Sequence, residues 1–183
     1  MSRGGYFALL MLVFDVRSLA VQAAKVDGAL PPDDAIWMAE DVRPAGPLAV
    51  TGRVSTAGRG RFYFSGRFSG AVRLECRRCL APVEVAVTND VAALFSDEEG
   101  EDAGDPDVFA LADGGRNVDV RSAVREAWLL NVPAFAQCRE DCRGICPTCG
   151  TDLNTGTCSC EPVTDSRWDA LRALRGGAKS GRP

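Results

Sequence analysis

The sequence predicts an α+β fold. Its body is an antiparallel β-meander, open or curled toward a barrel, with one packed helix and a C-terminal Cys-rich zinc module that ends in a short helix. Three observations predict it. From Leu48 to Thr88 apolar and polar residues alternate with a period of two, the mark of half-buried strands. From Asp119 to Asn131 the apolar period becomes that of a helix. Six of the eight cysteines fall within residues 138–160. The composition shifts divide the chain into an antiparallel β domain over 1–95, an acidic loop over 96–118, and a unit of helix, Cys-rich module and terminal helix over 119–183.

The elements follow in order. Residues 6–14, YFALLMLVF, are an apolar run behind Arg3. A leader peptide cleaved after Val21-Gln22-Ala23 and a first β-strand are the two readings. Asp15 and Arg17 follow the run at once, and Val13, Asp15 and Arg17 alternating with Phe14 and Val16 favour the strand; Met11 is an alternative start. Residues 27–47 carry Gly28, Pro31, Pro32, Pro44 and Gly46 and read as a connection anchored by Trp37. Leu48, Val50 and Val54 then share one face of a strand. After a turn at 56–60, Phe62, Phe64 and Phe68 do the same, with Arg61, Tyr63, Ser65 and Arg67 opposite. Ser69-Gly70 reads as a hairpin turn into a return strand with Val72, Leu74 and Cys76 inside and Arg73, Glu75 and Arg77 outside. Val83, Val85 and Val87 mark the next strand. Residues 96–107 hold seven acids and no base, a solvated block that cannot fold alone. Asp119 is placed to cap a helix whose apolar side is Val120, Val124, Ala127 and Trp128 and whose wet side is Arg121, Arg125 and Glu126; it ends before Pro133. A last helix, capped by Thr164 or Asp165, presents Trp168, Leu171 and Leu174 and stops at Gly176.

Composition excludes several functions. The chain has 183 residues, a net charge of −4 and no histidine, so histidine-dependent nucleophile triads and His-bearing catalytic zinc sites are ruled out. Neither a phosphate-binding loop nor a dinucleotide fingerprint occurs. The acids crowd into one run instead of converging as nuclease metal ligands do, so a non-enzymatic role is expected.

The cysteines carry the chemistry. Cys138, Cys142, Cys146, Cys149, Cys158 and Cys160 are spaced too densely for ordinary packing, which leaves disulfides or a metal. Cys146-Pro147-Thr148-Cys149-Gly150 has the form of a zinc knuckle, in which Gly150 can leave the turn at positive φ. Without histidine, a structural Zn²⁺ would be held by four thiolates, with Arg139 and Arg143 placed to offset the charge. Cys146 and Cys149 form one donor pair, and the other is Cys158 with Cys160 or Cys138 with Cys142. The two thiols left over would pack beside the site; a two-metal cluster with bridging thiolates is the other arrangement. Cys76 and Cys79 form a further Cys-x-x-Cys pair, read as a strand-end turn that is structural or joins a metal site.

Three segments together resemble the YceD family, the large ribosomal RNA subunit accumulation proteins. They are ECRRCLAPVEV at 75–85, LLNVPAFAQCREDCRGICPTCGTDLNTGTCSC at 129–160, and DSRWDALRAL at 165–174. The one departure is Ser166, where the family pattern has proline. The resemblance implies a non-enzymatic, cytoplasmic factor needed for 23S ribosomal RNA to accumulate. It would act on that RNA or on large-subunit assembly intermediates, with no membrane and no small-molecule substrate. A reducing location favours zinc over disulfides.

Local charge bears on RNA independently. Residues 52–79 carry seven arginines and one acid, a net of +6, and residues 166–183 a net of +4. The expected nucleic-acid face is Arg61, Tyr63, Arg67 and Arg73, bunched on the polar side of the hairpin. The competing expectation is a zinc-stapled protein-interaction adaptor without direct RNA contact.

Overall fold

The computed structural model describes residues 12–58, 60–97, 105–161 and 165–171, the side chain of Ser166 excepted. It is an α+β structure built on a five-stranded sheet of order β2–β3–β4–β5–β6: Ala24–Leu30, Leu48–Thr56, Arg61–Glu75, Pro82–Ser96 and Val108–Ala110. The first four strands form an antiparallel meander, and β6 joins β5 in parallel. Among the described residues the sheet is open and does not close into a barrel. A two-stranded ribbon pairs β1, Val13–Asp15, with β7, Asn117–Asp119. Two helical segments lie next to the ribbon, α1 at Val16–Val21 and α2 at Ala112–Gly115, the latter a turn with positive φ at Asp113 and Gly114. The principal helix α3 is Val120–Asn131.

One core explains the arrangement. The even-numbered residues of β3 and β4 face inward, and Val50, Val54, Phe64, Phe68 and Val72 are fully buried. They meet Val87, Val91, Ala93 and Phe95 of β5 and the stripe Val120, Ala123, Val124 and Trp128 of α3. The rings of Phe68 and Trp128 meet edge-on at 6.1 Å. Asp119 caps α3 as its sequence position predicts, accepting a bond from the Arg121 N–H at 3.0 Å.

Four expectations are corrected. Ser69-Gly70 is not a turn, because β4 runs unbroken from Arg61 to Glu75 and pairs with β5 along its whole length. Gly70 serves close approach instead; a Cβ there would overlap the Leu48 side chain. The first strand stops at Asp15, whose carboxylate accepts from the Arg17 N–H at 2.7 Å and starts α1. The start of the Pro/Gly-coloured connection is a full strand, β2, with Val26 and Leu30 buried. Finally, of the expected wet side of α3 only Glu126 is exposed, and the two arginines are covered. Arg121 pairs with Asp34 and Asp119, and Arg125 grips Asp41 with two bonds of 2.6 and 2.8 Å. The Trp128 indole N–H donates to Val42 O at 2.7 Å. The 31–45 segment is thus tied across the helix at one point per turn. Trp37 anchors it as predicted, buried and donating to Pro31 O at 2.8 Å.

The acidic run begins after Ser96, which is a buried member of β5; residues 98–104 lie outside the described residues. So do most of the leading apolar run, Leu174, Gly176 and the tail. Of the last helix, residues 166–171 are described, helical and opening with a 3-10 turn at Ser166–Trp168, and Trp168 and Leu171 are exposed there.

Gly52 and Gly66 are paired at the centre of the core face, and the Phe64 ring lies over both. A Cβ at position 66 would overlap the Thr51 carbonyl and the Phe64 ring. Gly66→Ala should therefore cost about 1–3 kcal/mol in urea unfolding, as overpacking does. A loss below a few tenths would mean that strand and ring shift freely.

Candidate metal centres

The turn that closes β4 onto β5 is built by its own backbone. Leu80 N donates to Cys76 O at 2.9 Å, and Cys76 N to Ala81 O at 2.8 Å. The same turn recurs seventy residues on, where Gly150 N donates to Cys146 O at 2.9 Å. In both, the residue after the second cysteine takes a left-handed conformation, φ 60° at Leu80 and 73° at Gly150. These two Cys-x-x-Cys knuckles each collect a second pair.

The first set is Cys76, Cys79, Cys138 and Cys142; the second is Cys146, Cys149, Cys158 and Cys160. Within each set all four sulfurs lie within 4.8 Å of one another, and each set could hold a metal ion. The downstream partners of Cys146 and Cys149 are the ones selected. Cys138 and Cys142 are not spare thiols packed beside that site. They complete the knuckle at the end of the sheet, after chain separations of 59 and 66 residues. The eight cysteines divide into two separate quartets that share no sulfur.

The donor chemistry fits a thiophilic cation. Cys76 and Cys142 sulfurs lie 3.8 Å apart and Cys79 and Cys138 sulfurs 3.6 Å apart. Four sulfurs at roughly 2.3 Å from a tetrahedral ion would be separated by about 3.8 Å, whereas a disulfide bond is about 2.05 Å. The Cys79, Arg78 and Cys138 N–H groups aim at the Cys76 sulfur and bring its pKa down to about 6. The Cys149 and Thr148 N–H groups do the same for Cys146, also to about 6. The Thr151 hydroxyl and N–H also lower Cys149, whereas other thiols of each set are pushed the opposite way. The Cys142 sulfur and desolvation push Cys138 up to about 12, and the Cys149 sulfur and desolvation push Cys160 up to about 12. Each quartet therefore holds thiols pushed in opposite directions, a conflict that a divalent ion would relieve.

Arg78 locks the first set to the sheet. Its guanidinium donates to Cys142 O at 2.8 Å, and its carbonyl accepts from Ile145 N at 3.0 Å. Sequence reasoning overlooked it, and also overlooked Asn154, whose amide donates to the Cys142 sulfur at 3.6 Å. Of the two arginines expected to balance the charge, Arg139 pairs with Asp141 at 3.2 Å and donates to Asn154 at 2.9 Å. Arg143 meets Asn154 through its backbone N–H.

The expected nucleic-acid residues lie on the outer, odd-numbered face of β4, as predicted. They are not bunched across two paired strands, because all four sit on one strand. Arg61 and Arg73 are about 40 Å apart at 3.3 Å per residue. The register also sets β5 acids opposite: Arg67 bonds Asp90 at 2.7 Å, and Arg73 lies 3.6 Å from Glu84. Tyr63 is exposed, as is Arg53 on β3. An open depression of about 550 Å³ on this face is lined by Thr51, Ser65, Arg67, Asp90 and Ala92 with Gly52 and Gly66.

The twin knuckles differ in one residue at the left-handed position, which costs an L side chain roughly 1–2 kcal/mol. Leu80→Gly should raise the unfolding midpoint or leave it level, since Leu80 is 55% exposed and packs little. Gly150→Leu should lower it. The opposite order would show that Leu80 makes a contact worth more than the strain.

A family model described as "Large ribosomal RNA subunit accumulation protein YceD" matches residues 64–175. The chain is 25% identical over 149 residues to "Large ribosomal RNA subunit accumulation protein YCED homolog 1, chloroplastic" of Zea mays, covering 66% of this chain and 50% of that protein. It is 30% identical over 105 residues to uncharacterised proteins of Mycobacterium tuberculosis and Mycobacterium bovis, covering 56% of this chain and 50% of each. The chain spans about half the length of the curated relatives it matches. No solved structure matches. The family match takes in most of β4, both knuckles, α3 and all eight cysteines, over half of the sequence, and this chain belongs to the YceD family.

Proposed function

We propose that this chain is a non-enzymatic factor that supports accumulation of large-subunit ribosomal RNA, 23S in a bacterial setting, and that its two cysteine quartets hold structural Zn²⁺. The observation that carries the reading is the family match laid over the quartets. A quartet of thiolates fills a tetrahedral ion completely and leaves no position for substrate or water, so the metal serves folding and not catalysis. When bound, zinc supplies a crosslink between backbone segments. The protein supplies the preset turns, the N–H groups on Cys76 and Cys146, and the Arg78 bond that aligns Cys142. A cytoplasmic, reducing location goes with free thiols. Among the described residues no helix is long and apolar enough to cross a membrane.

The partner in this reading is ribosomal RNA or an assembly intermediate of the large subunit, met on the outer sheet face around Tyr63 and Arg53. An exposed ring and an exposed guanidinium on one sheet face suit a stacked base and its phosphate. A second reading, an adaptor that binds protein and not RNA, draws support from the Arg67–Asp90 and Arg73–Glu84 pairs, which offset much of the charge this face has in the sequence.

Two measurements test the proposal. Metal analysis of protein purified under reductant should give two zinc ions per chain, and Cys146→Ser should remove one of them; folded, metal-free protein carrying disulfides among these cysteines would end the zinc reading. Crosslinking in cells followed by sequencing should enrich large-subunit ribosomal RNA. In vitro, Arg53→Gln with Tyr63→Ala should weaken RNA binding and flatten its log-salt slope by about one, the share of a single lost phosphate contact. Unchanged binding and slope would move the contact off this face, and recovery of protein without RNA would favour the adaptor.

A further inference from the structure

Only three residues, Arg143, Gly144 and Ile145, separate the last cysteine of the sheet-end quartet from the first of the C-terminal quartet. That linker is gripped from both sides. On the sheet side, Ile145 N donates to Arg78 O, and Gly144, at φ 76°, leaves no room for a relaxed Cβ, which would lie 3.0 Å from the same carbonyl. On the other side, Leu153 N donates to Gly144 O at 2.9 Å, and Ile145 is bridged to Asp152. Leu153 and Asp152 belong to the loop between Cys149 and Cys158, so a cation in the C-terminal quartet fixes both ends of that loop.

The loop returns one side chain to the other quartet. Asn154 donates from its amide nitrogen to the Cys142 sulfur at 3.6 Å and to Asp152 Oδ1 at 2.7 Å. Its amide oxygen accepts from Arg143 N at 2.8 Å and Arg139 Nη2 at 2.9 Å. An N–H pointed at a thiolate spreads the sulfur's charge and favours its metal-bound form, the role outer-shell donors play at metal sites. This donor stands on a loop that the neighbouring quartet staples.

We propose that the two quartets fill as one coupled unit, with Asn154 as the positioning residue: a thiophilic divalent cation in the C-terminal quartet raises the affinity of the sheet-end quartet. By linkage the reverse holds to the same factor. The inference rests on the metal reading above but goes beyond it, since two independent ions would satisfy that reading equally.

The test uses the full chain, stripped of metal under reductant and titrated with Co²⁺. Sulfur-to-cobalt absorption reports occupancy, and a competing chelator sets the affinity scale. The parent is compared with a chain whose C-terminal quartet is disabled (Cys149→Ser with Cys160→Ser), and with Asn154→Ala. A chain with Cys79→Ser and Cys138→Ser isolates the C-terminal quartet. Coupling predicts that the sheet-end quartet loses affinity by about tenfold or more when the other is disabled, and by about tenfold in Asn154→Ala. The isolated C-terminal quartet should be indifferent to Asn154→Ala. The metal-free unfolding midpoint should also be unchanged by Asn154→Ala, which separates positioning from a general structural defect. Equal sheet-end affinity in the parent, the disabled chain and Asn154→Ala would overturn the coupling while leaving two zinc sites in place. A parent that takes up no cation would overturn the metal reading and the coupling together.

Discussion

The paired length of β4 and β5 governs the rest of this structure. Fifteen residues on each strand lie in unbroken antiparallel register, and the turn that joins them is the knuckle of Cys76 and Cys79. One end of the ladder belongs to the core, where Phe62, Phe64 and Phe68 meet α3 and its neighbours. The other end becomes half of a thiolate site. The sheet therefore fixes where the first sulfur pair stands, and α3, packed on β5, fixes where the chain emerges to bring Cys138 and Cys142 back to it. A parallel bridge of Cys76 with Ala136 and the bond from Arg77 N to Ala136 O complete the return. The sheet-end quartet is thus a tertiary contact of the core, whereas the C-terminal quartet is a local one.

Much of this is legible in the residues, the continuity of β4 included. A two-residue turn at Ser69-Gly70 would set residue 68 opposite 71 and exchange odd for even positions on the inward face. Yet Phe62, Phe64, Phe68, Val72, Leu74 and Cys76 keep a single parity throughout, which only one continuous strand allows. Ala24, Val26, Gly28 and Leu30 hold the same clue for β2, masked by reading Gly28 as a loop residue. The cap at Asp119 and the knuckle at Cys146 were legible because each is fixed by its nearest neighbours. The partition of the cysteines was not, because spacing alone cannot say that Cys76 comes to rest against Cys142. Asn154 gave no signal: nothing in its local sequence marks an amide destined for a sulfur twelve residues away.

Electrostatics supply a similar contrast. Counting along the chain credits the arginines of 52–79 with a strong positive field. Pairing across the sheet draws on a different stretch of sequence, and Glu84 and Asp90 arrive opposite Arg73 and Arg67. Likewise, arginines that look solvated on a helical wheel, Arg121 and Arg125, are the rivets by which Asp34 and Asp41 hold the 31–45 segment over α3. Linear charge density is a guide to surface potential only where the register brings like beside like.

The separation of Cys76 from Cys138 has a consequence for the order in which the chain is made. Translation proceeds at about 5–20 residues per second, so the first knuckle leaves the ribosome roughly 3–12 seconds before the pair that will complete its site. During that interval Cys76 and Cys79 form half a ligand set at the β4–β5 turn, and neither α3 nor the Cys138–Cys142 pair yet exists to complete it. The second knuckle waits roughly 0.5–2 seconds for Cys158 and Cys160 at the same speeds. The later-born centre can therefore be finished almost as it emerges, while the earlier-born one spends its infancy as an open dithiol, exposed to oxidants and to any cation that arrives first.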